Sequence, residues 1–277
     1  MPVINTNTNA QYAQDALKVN AKSMGNVMQQ LATGSRINAA KDDAAGLSLS
    51  QNMTSQVRGL NQAVRNVNDG INLLQTADGA LVETSNMLQR MRELAVQSSN
   101  ATNSTSQRGY LENEFASLQA EINRISYNTT WNNASVFGTS TGAANMMVFQ
   151  AGINAGQTIS VSIASMDAGN LGVSASVVSI GTYDGAQASL TLIDTAIDKV
   201  NNARSAMGAT MNQLSYSADN MTNISTNIAA SRSTIQDTDY ATASAQLAKN
   251  QIINQAATAM LAQANQQPQS VLSLLKG

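Results

Sequence analysis

Residues 53–95 read MTSQVRGLNQAVRNVNDGINLLQTADGALVETSNMLQRMRELA. In this stretch Met53, Leu60, Val67, Leu74, Leu81, Leu88 and Ala95 recur at intervals of seven, and Val57, Val64 and Ile71 stand four residues after the first three. An apolar residue every seven positions keeps one stripe of an α-helix facing a partner over many turns, which is the pattern of a packed helical seam rather than of a strand. A second run of the same kind, Ile193, Val200, Met207, Leu214, Met221, Ile228 and Ile235, has the same length, with Leu190, Ile197, Met211 and Ala218 beside it. At 1.5 Å per residue each run makes a rod of about 60 Å. Pro occurs only at positions 2 and 268, so nothing between them forces a break.

Working outward, Leu111, Phe115, Leu118, Ile122 and Ile125 alternate 4-3-4-3 and predict a shorter third helix. Gly70 and Gly79 sit inside the first run, where each either lets another element approach closely or marks a local break. Residues 126–185 change character. Only Asp167 and Asp184 are charged there, and Thr158 to Ile163 alternates polar with apolar, the period of a strand. Met146–Gln150 and Val173–Ile180 are expected as further strands, with Asn154, Ala155 and Gly156 turning a hairpin. The expected fold is mainly α: an elongated antiparallel bundle of long heptad-patterned helices, a small β-hairpin element, and terminal helices paired as a coiled coil.

The two ends carry weaker stripes. Ala10, Leu17, Met24 and Leu31 lie seven apart, with Ala21 and Met28 alongside, until Gly34 offers a stop. Toward the other end Tyr240, Leu247, Ile253, Ala257, Met260 and Ala264 form a less regular stripe, followed by Val271, Leu272, Leu274 and Leu275. From Ala241 onward the only charges are Lys249 and Lys276, and before Ser35 only Asp15, Lys18 and Lys22. An isolated helix of this kind is marginal in water because nucleation is costly and its stripe buries little against one partner. The ends are therefore expected to order only when surrounded. The division that follows is residues 1–44 pairing with 236–277, and a rod of residues 45–235 with a β element at about 126–185.

Composition narrows the function. With no Cys and no His, the chain has no disulfide framework, thiol nucleophile, imidazole base or common zinc or haem site. Charged residues make up 12%, against about 25% in typical domains. Asn and Gln together make up roughly a fifth of the chain instead, and they can hydrogen-bond across an interface without the cost of burying a charge. A formal charge of -2 without a basic cluster argues against nucleic acid or anionic lipid as partner. No apolar run is long enough to span a membrane, and Met1 to Ala10 lacks the basic and apolar regions of a secretory signal peptide.

Adjacent Asp42 and Asp43 suit helix capping better than a metal site, and Asp237-Thr238-Asp239 lacks the Gly and Glu of a calcium loop. No set of acid, base and nucleophile converges, so no enzyme and no cofactor is expected. Met207, Met211 and Met221 read as adaptable core. Charge gathers instead at the two joints between rod and ends, where Arg36 or Arg232 is expected to meet Asp237 or Asp239.

Several segments then resemble one family: VINTN (3–7), LATGSRINAAKDDAAG (31–46), NDGINLLQTADGAL (68–81), RMRELAVQ (90–97), IQDTDYA (235–241), QII (251–253), LAQAN (261–265) and PQSVLSLL (268–275). Together they resemble a bacterial flagellin over essentially all of the chain outside 126–185, a short form without large central outer domains. One departure is Trp131-Asn132-Asn133, where the family often has Phe-Asn-Gly. The resemblance implies a secreted filament subunit for motility whose terminal helices order on polymerisation. Ala10, Leu17, Met24, Leu31, Leu247, Ile253, Ala257 and Met260 then form the terminal assembly seam. It also implies partners: further copies of the chain, hook-filament junction and cap proteins, an export chaperone and the flagellar type III export apparatus. Arg90, Glu93, Leu94 and Glu114 match positions through which many flagellins engage a Toll-like innate receptor. The competing reading is a hook-filament junction protein or another coiled-coil secretion-associated protein, whose resemblance would ordinarily be confined to the ends.

Overall fold

The structure is a computed structural model describing residues 6–138 and 144–276, with side-chain surroundings given through residue 266. The predicted motif at residues 3–5 and the apolar side chains at 271–275 lie outside the described part. Among the described residues six helices and four strands follow in order: α1 (Thr8–Thr33), α2 (Ala44–Ser98), α3 (Thr105–Asn128), β1 (Thr130–Trp131), β2 (Ala134–Ser135), β3 (Asn145–Gln150), β4 (Thr158–Ile163), α4 (Ala168–Leu171), α5 (Tyr183–Gln236) and α6 (Tyr240–Lys276). The chain divides into two compact units, one of Met1–Val57 with Thr226–Gly277 and one of Arg58–Ser225.

In the second unit α2 runs antiparallel to both α3 and α5. Arg92 Nε donates to Asp194 Oδ1 at 2.7 Å and Arg204 Nε to Asp78 Oδ1 at 2.7 Å, which places α5 against α2 with opposite sense. The predicted stripe is the core: Leu60, Val67, Leu74, Leu81, Leu88 and Ala95 of α2 are buried, as are Ile193, Val200, Met207, Leu214 and Met221 of α5 and Phe115 and Ile122 of α3. A second buried row of α2 consists of Ala63, Gly70, Ala77, Thr84, Met91 and Ser98, again seven apart. Its small and polar members hid it from an apolar count, whereas the expected companions Val57, Val64 and Ile71 are only half-buried.

Neither Gly70 nor Gly79 interrupts α2, but their roles differ. A Cβ on Gly70 would fall 2.9 Å from Phe149 Cδ1, so β3 lies directly on the helix there, while a Cβ on Gly79 would meet nothing within 4 Å. Gly79→Ala is therefore expected to stabilise the chain by about 0.5–1 kcal/mol through backbone entropy alone. Gly70→Ala is expected to destabilise it, because the phenyl ring must shift to make room. Paired urea melts of the two variants check the opposite signs.

The β3–β4 hairpin forms with the expected strands, Asn145 opposite Ile163 through Gln150 opposite Thr158, and Gly156 at φ 83° turns the connecting loop. A second, shorter hairpin, β1–β2, pairs Thr130 with Ser135 and Trp131 with Ala134. Asn132 and Asn133 lie at φ 49° and 64°, the left-handed region that a two-residue hairpin turn requires and that Asn tolerates. The departure from Phe-Asn-Gly thus keeps the turn. Residues 173–180, by contrast, form no strand; side chains from three helices take up their backbone groups. Gln119 Nε2 donates to the Val173 carbonyl at 2.8 Å, Ser98 Oγ donates to the Ile180 carbonyl, Ser189 Oγ donates to the Ser179 carbonyl at 3.2 Å, and Glu112 accepts from the Ile180 N–H.

Candidate assembly surface

In the first unit α1 and α6 pack as an antiparallel pair. Asn7 Oδ1 caps α1 by accepting from the Ala10 N–H at 3.0 Å, and Gly34 ends it at φ 70° with its own N–H on the Gln30 carbonyl, as its position in the sequence predicts. The joint to α5 and α6 is made of backbone. Ser35 and Asp237 form a bridge, Arg36 N–H donates to the Gln236 carbonyl at 2.7 Å and Thr238 N–H to the Gly34 carbonyl at 2.9 Å.

That changes the expected role of the joint charges. Arg36 Nη2 donates to the Ile235 carbonyl at 2.9 Å, and Arg232 Nη1 to Thr54 Oγ1 at 3.3 Å. Asp237 accepts from Ser233 Oγ at 2.7 Å. Asp239 caps α6, accepting from the N–H groups of Ala241 and Thr242 and from the Thr242 hydroxyl. The Thr242 hydroxyl first, then the two backbone donors, hold the Asp239 carboxyl below the ordinary carboxylate range. Among the described residues no ion pair joins Arg36 or Arg232 to Asp237 or Asp239. Carbonyls and helix N-termini supply enough partial charge that the side chains pair with backbone instead. At the start of α2 Asp43 caps by accepting from the Gly46 N–H at 2.8 Å, and Asp42 accepts from Asn38 and Ala39.

Along the pair, Ala10, Leu17, Met24 and Leu31 face inward with Ala13, Asn20 and Val27, a strict 3-4 alternation. On α6 the inward row is Ala243, Leu247, Asn250, Asn254, Ala257, Leu261 and Ala264. Leu247 and Ala257 belong to this inward row, whereas Ile253 and Met260 point outward, 40% and 66% exposed. Two Asn residues occupy positions in the inward heptad, so choosing by hydropathy shifts the stripe by one residue. Asn20 and Asn250, 7% and 3% exposed, escape a search for apolar residues; the period of seven from Ala243 through Asn250 to Ala257 is the signal that finds Asn250.

The pair leaves several large apolar side chains outside. Tyr12, Val19, Met28, Ile252, Ile253 and Met260 are all at least 40% exposed, and Tyr12, Ala13 and Ala16 line a groove with Ala257, Met260 and Ala264. In the other unit Arg90 joins Glu114 and Glu93, each at 2.9 Å, on the surface of α2 and α3. Hydrogen bonds to Glu93 and then Glu114 raise the Arg90 pKa. Leu94 is not beside them on that surface; it is 1% exposed and belongs to the core.

No helix among the described residues is long and apolar enough to cross a membrane, and no group of three His, Cys, Asp or Glu residues there could hold a metal ion. Residues 4–142 match the bacterial flagellin N-terminal helical region, and residues 190–275 match the bacterial flagellin C-terminal helical region. The chain is 41% identical to a flagellin of Halalkalibacterium halodurans over 274 residues, covering 99% of this chain and 100% of that one. It is 40% identical to the flagellar filament 33 kDa core protein of Treponema phagedenis over 285 residues, covering 99% and 100%. The crystal structure of Bacillus cereus flagellin, 32% identical, aligns with a TM-score of 0.50 over 61% of this chain and 94% of that one. With both helical regions matched in order and full-length relatives at this identity, the chain belongs to the bacterial flagellins.

Proposed function

We propose that this flagellin, a structural subunit of the extracellular flagellar filament, polymerises through the outer faces of its α1–α6 pair, which order as each copy is added. In this reading residues 1–44 and 236–277 are the assembling part and residues 45–235 the rod. The observation that carries it is the apolar residue set on the outside of a two-helix pair, including Tyr12 at 76% and Val19 at 71% exposure. Large apolar side chains clustered on a surface with few charges mark a face to be covered. The same few charges let copies cover it without desolvating ions. An open filament requires contacts between two different patches on successive copies, and α1 and α6 supply two.

Purified chain added to sonicated filament fragments is expected to elongate them into long filaments visible by electron microscopy. Chains that stay monomeric at every salt and seed concentration would move the reading to a hook-filament junction protein. Resemblance along the whole length, to proteins named for the filament itself, supports the filament reading over that one.

Export through the flagellar type III apparatus with a chaperone, and contacts with junction and cap proteins, belong to the same proposal. A chain without Cys and with two Pro residues suits passage unfolded and refolding outside, since no disulfide and few slow prolyl steps intervene. Recognition by a Toll-like innate receptor is proposed at Arg90, Glu93 and Glu114, with Leu94 holding α2 in place from within. Monomer is expected to trigger receptor signalling and Arg90→Ala to reduce it at least tenfold; absence of signalling with wild-type monomer would sink this part alone.

A further inference from the structure

The heptads of α1 and α6 leave their alignment under-specified. Ala10, Leu17, Met24 and Leu31 repeat every seven residues, while Ala243 and Ala257, and likewise Leu247 and Leu261, stand two heptads apart with Asn250 and Asn254 between them, so apart from those Asn positions a slip of one heptad still sets apolar residues opposite apolar residues. Buried polar groups are the device that removes such degeneracy, because a slip strands them.

The pair holds such groups at two places. In the middle, Asn20 Nδ2 donates to the Asn250 carbonyl at 2.8 Å, and Asn250 Nδ2 donates to Ser23 Oγ at 3.2 Å. Both Asn side chains are buried. Asn20 bonds a main-chain carbonyl, which Ala243 or Ala257 would also offer after a one-heptad slip, but the slip would part the two buried Asn side chains into separate apolar layers, and Asn250 would exchange Ser23 for Ala16 in one direction and for Gln30 in the other. At the far end Asn7 Nδ2 donates to the Ala264 carbonyl at 2.8 Å. Inside a helix that carbonyl normally accepts from the N–H four residues on. Here the fourth residue on is Pro268, within α6, which has no N–H to give. The carbonyl is left open, and Asn7 takes it. No neighbouring carbonyl is opened by a Pro in the same way, so this bond also belongs to one alignment.

We propose that Asn20 and Asn250, together with Asn7 at the carbonyl that Pro268 leaves open, set the register of the α1–α6 pair. They thereby fix how Tyr12, Val19 and Met28 line up with Ile252, Ile253 and Met260 on the face that copies share. These are positioning residues, whose bonds run within the pair, and the proposal rests on the assembly reading above.

The chain has no Cys, so Lys22→Cys with Lys249→Cys, both on exposed positions, takes spin labels at those two sites only. Labelled chain is diluted into filaments of excess unlabelled chain so that distances within one subunit are read. The wild-type background is expected to give one narrow distance. The triple variant Asn20→Leu, Asn250→Leu, Pro268→Ala is expected to keep its helix content yet give a second population displaced along the pair by a heptad, about 10 Å. One unchanged narrow distance in the triple variant overturns the proposal. If the variant is excluded from filaments, the labels are read in soluble chain folded with an osmolyte, where two populations support the proposal and the wild-type distance overturns it. Failure of the wild-type chain itself to polymerise would count against the assembly reading instead, and the soluble measurement would still decide the register.

Discussion

A chain ending at Tyr240 is expected to keep the fold of residues 58–225 and to lose polymerisation altogether. The unit Arg58–Ser225 contains its own core, with Leu74, Leu88, Phe115, Ile193 and Leu214 fully buried inside it. Removal of residues 241–277 takes away nearly all of a 37-residue helix and with it the partner of 26-residue α1. The inward row of α1 then faces water, and a single helix whose stripe contains Ala, Asn and fewer than one large apolar residue per turn is not stable by itself. Both faces offered to neighbouring copies are lost together. Circular dichroism should show helix loss matching more than α6 alone, since α1 melts with it, while the cooperative melt of the rod persists. Seeds given truncated chain should not elongate. Filaments built from this chain would show that assembly is carried by the rod and would overturn the reading of α1 and α6.

The long helices were legible because large apolar residues at period seven have one structural solution over many turns. Leu60 through Ala95 and Ile193 through Met221 are buried as their spacing requires. The terminal pair was half-legible for the converse reason. On α1 the larger residues Leu17, Met24 and Leu31 mark the stripe, whereas on α6 Asn250 and Asn254 stand inside it and Ile253 and Met260 stand outside. Hydropathy reports which residues avoid water in the completed assembly, and it does not separate burial within one chain from burial between copies. The joint eluded charge counting because its partners are main-chain groups: Arg36 reaches a carbonyl and Asp239 reaches N–H groups, and neither is visible in a sequence of side chains. The tight β1–β2 hairpin eluded it because each strand is two residues long, too short for any periodicity to register.

Residues 173–180 carry the remaining lesson and the second large effect. Val173, Val177, Val178 and Ile180 have the composition of a strand, and Val173, Val178 and Ile180 are buried as strand residues would be. What the segment lacks is a neighbouring strand, so its backbone groups must find other partners or remain unpaired in the core. Gln119, only 4% exposed, meets that need from α3, donating to the Val173 carbonyl at 2.8 Å and reaching the Val178 carbonyl at 3.5 Å. Gln119→Leu keeps nearly the same volume but removes the donor. Each buried acceptor left unpaired costs about 1–3 kcal/mol, so the variant is expected to lose about 2–4 kcal/mol in urea unfolding followed on the rod. Ser117→Ala, on the exposed side of the same helix, is expected to change stability by less than about 0.5 kcal/mol. Equal, small losses in the two variants would mean that water reaches the Val173 and Val178 carbonyls. The segment would then be held by its apolar side chains alone, as the composition without the structure suggests.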